Sequence, residues 1–195
     1  MIGIELAERG WLPDALVRRG IRRLLRRRLE EESAGDVEAA SRRFAERIDA
    51  LRESRIAIET DAANAQHYEV PADFYRLVLG PRLKYSSAFW PDGVEDLAAA
   101  EEAMLERTAE HAGLADGQRV LELGCGWGSL TLWMAERFPN SRILGVSNSA
   151  SQRASILADA HARGLFNVDI LTRDVNDLSL ERTFDRVVSV EMFEH

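Results

Sequence analysis

Cysteine and long hydrophobic runs are scarce in this chain of 195 residues. Its single cysteine, Cys125, cannot form an internal disulfide, and the N-terminus lacks the apolar core of a secretory signal. Both features predict a reducing, cytoplasmic environment. No stretch approaches the roughly 18 apolar residues that indicate a membrane span, so we expect no transmembrane segment.

Basic charge is also in short supply. Lysine and arginine total 25 against 33 aspartates and glutamates, the net charge is −8, and Lys84 is the sole lysine. A chain without an overall basic field does not gather phosphates, which argues against a general nucleic-acid-binding protein. A hydrophobic content of 46% over 195 residues suits one packed domain with a helical appendage.

Residues 14–29 have the pattern of an amphipathic helix. Its apolar side chains share one face, and its arginines lie off that face except for Arg28. The apolar set is Val17, Ile21, Leu24 and Leu25, and the basic set is Arg18, Arg19, Arg22, Arg23, Arg26, Arg27 and Arg28. Such a helix either packs with a solvated arginine face or contacts a membrane surface or an acidic partner. Both interpretations stay open.

A second helix is predicted from Val37 to about Thr60, because Phe44, Ile48 and Leu51 continue an apolar spacing of three or four residues. The apolar stripes of both helices need a partner surface. We expect them to cap the later sheet or to lie in a subunit interface.

Residues 66–93 combine aromatic and polar side chains. Pro71 forces an extended residue before it, and a short helix is predicted over residues 72–79. Such a segment lines a pocket or packs as a loop beneath a domain, and the residues alone favour neither. We predict a helical N-terminal segment over residues 1–93 and a sheet domain over residues 94–195.

From residue 94 onwards, predicted helices alternate with predicted strands. The helices cover residues 94–112, 129–138 and 150–163, and the strands cover residues 119–123, 142–146, 168–171 and 184–190. This alternation, with continuously apolar strands, is typical of an α/β fold with a parallel sheet. Ligands of such sheets bind at the carboxyl ends of the strands, so the loops that follow the strands are the candidate site.

The loop after the first strand contains Gly124, Gly126 and Gly128. Glycines allow dihedrals closed to other residues and a close approach to a ligand at a helix N-terminus. The spacing G-x-G-x-G, with Glu122 just before it, differs from the G-x-G-x-x-G of dinucleotide binders. It resembles motif I of S-adenosylmethionine (SAM) methyltransferases. By itself, the loop also fits a turn that only lets a helix pack on the sheet.

The next two loops are polar. Residues 147–152 carry short polar groups, including Ser147, Asn148 and Gln152, that suit ribose hydroxyls. After the third strand, Asp174 offers a carboxylate that can accept a hydrogen bond from an adenine amino group.

The loop after the fourth strand is the best candidate for chemistry. Glu191, Glu194 and His195 supply proton acceptors within five residues, and histidine titrates near neutrality. Two carboxylates and a histidine also suit a metal ion, but no second dense group of ligands supports one, so we predict no metal site.

Several separate motifs, taken in order, resemble one family. The chain is similar to the cyclopropane-fatty-acid-synthase-like class of SAM methyltransferases, and within it to the branch of coclaurine-type N-methyltransferases. The stretches that carry the resemblance are residues 12–19, 67–71, 83–86, 121–129, 145–149 with Gln152, and 191–195.

The resemblance implies a Rossmann-like sheet with strand order 3-2-1-4 behind an α-helical N-terminal segment, and SAM as the cofactor. The implied SAM contacts are Tyr85, Ser86, Glu122, Gly124, Gly126, Gly128, Ser147, Asn148, Gln152, Arg173 and Asp174. Tyr68 and Glu69 are the implied substrate-pocket residues.

Two positions depart from the lipid-modifying members of the family. Those members usually carry glycine where this chain has Glu191, which favours the amine-methylating branch. They also carry a cysteine, part of a bicarbonate site, where this chain has Ser87. The second departure weakens the lipid interpretation without proving the other, since the amine branch often has that cysteine too.

The predicted function is therefore N-methylation of a small-molecule amine, with Glu191 and Glu194 holding the amine and His195 accepting its proton. One alternative is methylene or methyl transfer to an unsaturated acyl lipid, with the arginine helix on an anionic membrane. A second alternative is an inactive fragment that at most binds SAM. That expectation arises because the family's sheet continues beyond a fourth strand, so residues 187–190 would form an apolar edge.

Overall fold

The structure is a computed structural model that describes residues 2–33, 36–58 and 71–192. The chain divides into two compact units, Met1–Arg55 and Ile56–His195. The domain boundary predicted at residue 93 stays a prediction. Among the helices of the described ranges, none combines the length and the apolar character that a membrane crossing requires.

The first unit contains helices α1 (Ile2–Glu8), α2 (Asp14–Glu32) and α3 (Val37–Glu53). No prediction covered α1. Helix α2 continues through the acidic run Glu30–Glu32, three residues beyond the end predicted at residue 29, so this boundary was wrong. The pairs Arg27–Glu31 and Arg28–Glu32, at 2.7 and 2.6 Å, join the acids to arginines one turn earlier. These (i, i+4) pairs offset the unfavourable sign of acids at a helix C-terminus.

Helix α3 begins where Asp36 accepts a hydrogen bond from the N–H of Ala39 at 2.7 Å, a helix N-cap. The prediction that it runs to about Thr60 was wrong, because it ends at Glu53 and Ser54 is extended. Further along, the backbone of Ala57 is hydrogen-bonded to the side chain of Asn176. A tertiary contact therefore takes the backbone groups that a longer helix would have used.

The second unit follows the predicted alternation. Its helices are α4 (Ala72–Val78), α5 (Leu97–Ala112), α6 (Ser129–Arg137) and α7 (Ala150–Ala162), with a 3₁₀ turn at Val175–Asp177. Its strands are β1 (Arg119–Leu123), β2 (Arg142–Ser147), β3 (Val168–Thr172) and β4 (Arg186–Ser189). Helix α5 starts three residues later than predicted because Asp96 caps it by accepting from the N–H of Ala99 at 2.8 Å.

The four strands form one parallel sheet in the order β3-β2-β1-β4. This confirms the predicted fold and strand order. Neighbouring β1 and β2 bring Glu122 opposite Gly145, and β1 and β4 bring Glu122 opposite Val188. The carboxyl ends of all four strands meet at one edge, where the predicted site loops begin.

Helices α5, α6 and α7 bury one face of the sheet. Val120, Ile143, Ile170 and Val188 point to this face, and Met134 of α6 is fully buried among them. The opposite face carries Leu121, Leu144 and Val146, against which residues 178–184 pack with Leu178, Leu180 and Phe184. The core therefore holds β1, the strand that presents the glycine loop, from both sides.

Candidate active site

The glycine loop turns sharply at the end of β1. The N–H groups of Gly124 and Cys125 both donate to the carbonyl of Val146 at 3.0 Å, which ties the loop to β2. Gly124 has φ +75° and Gly126 has φ +54°, in the left-handed region that favours glycine. A Cβ at Gly126 would meet no atom within 4 Å, so the space beside this residue is open.

Gly128 has a packing role in the structure. It caps α6 with φ +85°, and a Cβ there would lie 2.7 Å from Cγ1 of Ile156 on α7. The missing side chain lets α6 and α7 approach each other beside the sheet. Its proposed cofactor contact stays a prediction.

A cavity of about 130 Å³ opens at the carboxyl ends of the strands. We call it the strand-end cavity. It brings together eight of the predicted site residues: Gly124, Gly126, Ser147, Asn148, Gln152, Arg173, Asp174 and Glu191. Ala57, Ile58, Leu123, Val146, Val175 and Met192 complete its lining.

Ser147 and Gln152 form the buried polar wall of the strand-end cavity. The hydroxyl of Ser147 donates to Oε1 of Gln152 at 2.6 Å and accepts from the N–H of Ser149 at 3.0 Å. Gln152 is 2% exposed, and its Nε2 has no hydrogen-bond partner among the described residues. A buried donor without a partner is costly, so this wall suits a ligand oxygen that accepts from Nε2.

A second cavity, of about 260 Å³, also borders the glycine loop. We call it the lysine cavity, after Lys84. The predicted residues Tyr85, Ser86 and Glu122 line it. Gly124, Gly126 and Glu191 belong to the walls of both cavities, so a ligand that crosses the loop can reach both.

Glu122 faces the lysine cavity from inside the sheet. It is 4% exposed and accepts a hydrogen bond from the hydroxyl of Thr131 at 2.5 Å. Burial raises the pKa of Glu122 to about 7, although the Thr131 hydroxyl and the Lys84 ammonium oppose this shift. Near neutral pH, a cation bound beside Glu122 would therefore favour the ionised form of this carboxyl group.

Lys84 is the functional candidate that the sequence analysis missed. Its side chain is only 7% exposed and donates to the hydroxyl of Ser86. Burial lowers the pKa of Lys84, while Glu191, Glu101 and Glu122 work in the opposite direction. Composition was the sequence signal that could have identified Lys84. It is the one lysine in a chain that otherwise uses arginine, and it lies next to a predicted SAM contact.

The loop that carries Lys84 is anchored by Glu101 of α5. This carboxylate is 1% exposed and accepts from the N–H of Arg82 at 3.0 Å and of Lys84 at 3.3 Å. A Cβ at Gly80 would lie 2.5 Å from the Glu101 carboxylate, so a larger residue there would displace this carboxylate from its two backbone donors. The anchor fixes the backbone that presents Tyr85 and Ser86.

Glu191 is the second residue after β4 and has a left-handed conformation, with φ +50°. Its Oε1 accepts two hydrogen bonds from Ser87, one from the backbone N–H at 3.1 Å and one from the hydroxyl at 3.2 Å. A side chain in this region of backbone space costs about 1 kcal/mol or more. The carboxylate is thus fixed at the junction of the two cavities at the expense of backbone strain.

Four predicted site residues lie outside the described parts of the chain: Tyr68, Glu69, Glu194 and His195. Their roles stay predictions. In the part that the structure does describe, no group of three or more His, Cys, Asp or Glu side chains has the arrangement of a metal site. Two further polar atoms of the lysine cavity, Nε1 of Trp127 and Oγ of Ser129, are buried without a hydrogen-bond partner among the described residues.

Comparison with known proteins gives matches of two kinds. The chain is 38% identical over 192 residues to an (S)-coclaurine N-methyltransferase of Thalictrum flavum subsp. glaucum, covering 98% of this chain and 53% of that protein. It is 41% identical over 130 residues to a cyclopropane-fatty-acyl-phospholipid synthase of Escherichia coli strain K12, covering 67% of this chain and 32% of that protein. The chain thus spans about half the length of the N-methyltransferase, and its match to the synthase spans 32% of that protein.

Solved structures agree with both matches. A coclaurine N-methyltransferase bound to N-methylheliamine and SAH superposes with a TM-score of 0.88 at 34% identity, over 99% of this chain and 56% of that one. A mycolic acid cyclopropane synthase complexed with SAH and CTAB superposes with a TM-score of 0.63 at 26% identity, over 71% of this chain and 48% of that one. The resemblance found in the sequence motifs is confirmed.

The family model described as "Mycolic acid cyclopropane synthetase" matches residues 57–195. This range contains the glycine loop, both cavities and every predicted site residue. The chain belongs to the mycolic acid cyclopropane synthetase family.

Proposed function

We propose that this protein is a SAM-dependent methyltransferase that N-methylates a small-molecule amine. The observation that carries the proposal is the fixed carboxylate of Glu191 at the junction of the two cavities. Because glycine would adopt φ +50° without strain, a charged side chain retained there points to a role in chemistry. The similarity to coclaurine N-methyltransferases supports the same interpretation.

The described residues fit SAM as a cofactor. The unpartnered Nε2 of Gln152 can donate to a ribose oxygen in the strand-end cavity, and the hydroxyl oxygen of Ser147, whose proton is donated to Gln152, can accept from a ribose hydroxyl. Asp174 offers a carboxylate to the adenine amino group. In the lysine cavity, the buried carboxylate of Glu122 suits the ammonium group, and the unpartnered Oγ of Ser129 adds a hydrogen bond. Both of the similar solved structures described above contain SAH (S-adenosylhomocysteine), the product of methyl transfer from SAM.

When bound, SAM supplies a methyl group that its sulfonium charge already activates. The protein then has to orient the amine and keep its lone pair free. Oε1 of Glu191 is held by Ser87, and in the described part of the chain no hydrogen bond occupies Oε2. We assign to Oε2 the hydrogen bond from the amine N–H. Glu194 and His195 are the proposed partners that hold the amine and accept its proton.

Isothermal titration with SAH tests cofactor binding. We expect saturable binding with one site per chain. Incubation with SAM and heliamine, the amine that corresponds to the N-methylheliamine in the neighbouring structure, tests the reaction, with N-methylated product detected by mass spectrometry. Titration of Gln152→Ala provides the matched test of the strand-end cavity, and weaker SAH binding is expected.

The outcomes test the cofactor assignment and the acceptor assignment separately. Absence of SAH binding would contradict the whole proposal. Binding of SAH together with methylation of unsaturated acyl phospholipid, but of no amine, would replace the proposed substrate class and leave the cofactor assignment in place.

The acyl-lipid alternative has one observation in its favour. Helix α2 exposes Ile21, Leu24, Leu25 and Leu29 with at least half of each side-chain surface in solvent, beside its arginines. Such a helix suits an anionic membrane surface. Sedimentation with vesicles of anionic phospholipid tests this: binding that Leu24→Ser with Leu25→Ser abolishes would support membrane contact, and an amine enzyme has no need of it.

A further inference from the structure

The wall of the strand-end cavity includes two residues that come from far outside the sheet, Ala57 and Ile58. The main chain of Ala57 is held by the side chain of Asn176, 119 residues later. The N–H of Ala57 donates to Oδ1 of Asn176 at 3.1 Å, and Nδ2 of Asn176 donates to the carbonyl of Ala57 at 3.1 Å. An amide side chain thus pairs with a peptide group in both directions, as two strands do.

Asp174 determines which way this amide points. Its Oδ1 accepts from the backbone N–H of Asn176 and from Nδ2, both at 2.8 Å. A carboxylate only accepts hydrogen bonds, so Nδ2 has to face Asp174 and the carbonyl of Ala57, which leaves Oδ1 for the N–H of Ala57. The predicted adenine contact and the cavity wall are therefore parts of one hydrogen-bonded unit.

We propose that Asn176 is a positioning residue for the cofactor, because it fixes residues 57 and 58 as a wall of the strand-end cavity. This inference rests on the proposed function. Asn176 lines neither cavity, so it acts through the wall. A ligand that contacts the wall and the attachment of that wall stabilise each other, as linkage requires. Cofactor binding should therefore protect this segment from proteolysis. Loss of the segment's attachment should in turn weaken cofactor binding.

Asn176→Asp is the sharpest test variant. It preserves shape but replaces the Nδ2 donor by a carboxylate oxygen that faces Asp174 and the carbonyl of Ala57, so both contacts become repulsive. The matched control is Asn140→Asp. Asn140 also donates from Nδ2 to an aspartate, Oδ2 of Asp116 at 2.6 Å, but it lies before β2 and lines neither of the two site cavities.

Three readouts separate positioning from a merely structural role. In Asn176→Asp, the Kd for SAH should rise about tenfold, the size expected from two lost hydrogen bonds. With SAM and heliamine, KM for SAM should rise more than kcat falls. Trypsin cleavage after Arg55 should be slowed by SAH in the wild type, and should be faster and insensitive to SAH in the variant. Asn140→Asp should match the wild type in all three.

Ile58→Ala serves as a second variant that leaves the hydrogen bonds intact. Ile58 is 61% exposed, so its truncation spares the core, and weaker SAH binding is expected if the wall contacts the cofactor. Wild-type SAH affinity in Asn176→Asp would overturn the inference. If the wild type itself binds no SAH, the proposed function fails, and equal trypsin cleavage after Arg55 in ligand-free wild type and Asn176→Asp would then overturn the attachment role separately.

Discussion

The carboxylate of Glu191 is held by Ser87 through two hydrogen bonds to the same oxygen, at 3.1 and 3.2 Å, across 104 residues of sequence. Sequence analysis had singled out both positions as departures from the lipid-modifying members of the family. The structure shows that they contact each other. An acid in place of glycine and a serine in place of cysteine therefore form one unit beside the glycine loop.

The backbone strain at Glu191 is open to measurement. At φ +50° glycine is favoured over alanine, so Glu191→Gly should be more stable than Glu191→Ala by about 1 kcal/mol. Both variants lose the same carboxylate and the same bonds to Ser87, so the difference isolates the backbone. Urea unfolding measures it, and equal stability would contradict the assigned conformation. Both variants should also lose the proposed amine methylation.

Proton transfer in the last loop is tested by Glu194→Ala and His195→Ala. Each substitution should lower turnover by roughly 10²–10⁴-fold, the contribution usual for general acid–base catalysis. Affinity for SAH should change little, because these side chains are assigned to the amine and its proton. Unchanged turnover in both variants would remove them from the mechanism, and His161→Ala on the outer end of α7 provides the control histidine.

The buried carboxyl of Glu122 predicts a pH dependence of stability. Its pKa is raised by burial to about 7 in the folded state, from 4.5. Below pH 4.5 this carboxyl group is protonated in the folded and in the unfolded protein, so its titration does not change the free energy of unfolding. Between pH 4.5 and about 7 the unfolded chain releases this proton while the folded protein retains it, so stability falls across this range and levels off above pH 7.

Glu122→Gln removes this penalty and keeps an oxygen that can accept from the Thr131 hydroxyl. The variant should therefore gain stability relative to the wild type between pH 5 and pH 8, by up to about 3 kcal/mol. Denaturant unfolding at several pH values measures the difference. A difference that stays constant with pH, or that grows towards acid, would show that the assigned pKa direction is wrong.

Two glycines with the same φ separate backbone strain from steric clash. Gly117 has φ +86° and Gly128 has φ +85°, but a Cβ meets nothing within 4 Å at Gly117 and Cγ1 of Ile156 at 2.7 Å at Gly128. Gly117→Ala should cost about 1 kcal/mol of unfolding free energy. Gly128→Ala should cost about 1–3 kcal/mol more, from overpacking. Thermal unfolding compares them, and equal losses would exclude the packing role of Gly128.

The sequence by itself determined the pattern of the sheet domain. Apolar strands, helix periods and glycine positions are local signals, and from them β1 to β4 and their parallel arrangement were predicted correctly, whereas the strand order followed from the family resemblance. The same signals located the strand-end loops, and eight of their predicted residues line one cavity. The run of short polar side chains over residues 147–152, directly after an apolar strand, indicated Ser147, Asn148 and Gln152 as candidates.

Only the tertiary structure decided the remaining features. The end of α3, the burial of Lys84 and the clamp of Glu191 by Ser87 depend on residues separated by many tens of positions. The periodicity of one segment contains no information about which distant side chain will satisfy its backbone. No sequence pattern indicated a role for Asn176. Folding places its amide opposite the peptide group of Ala57, where the two groups satisfy each other's hydrogen bonds.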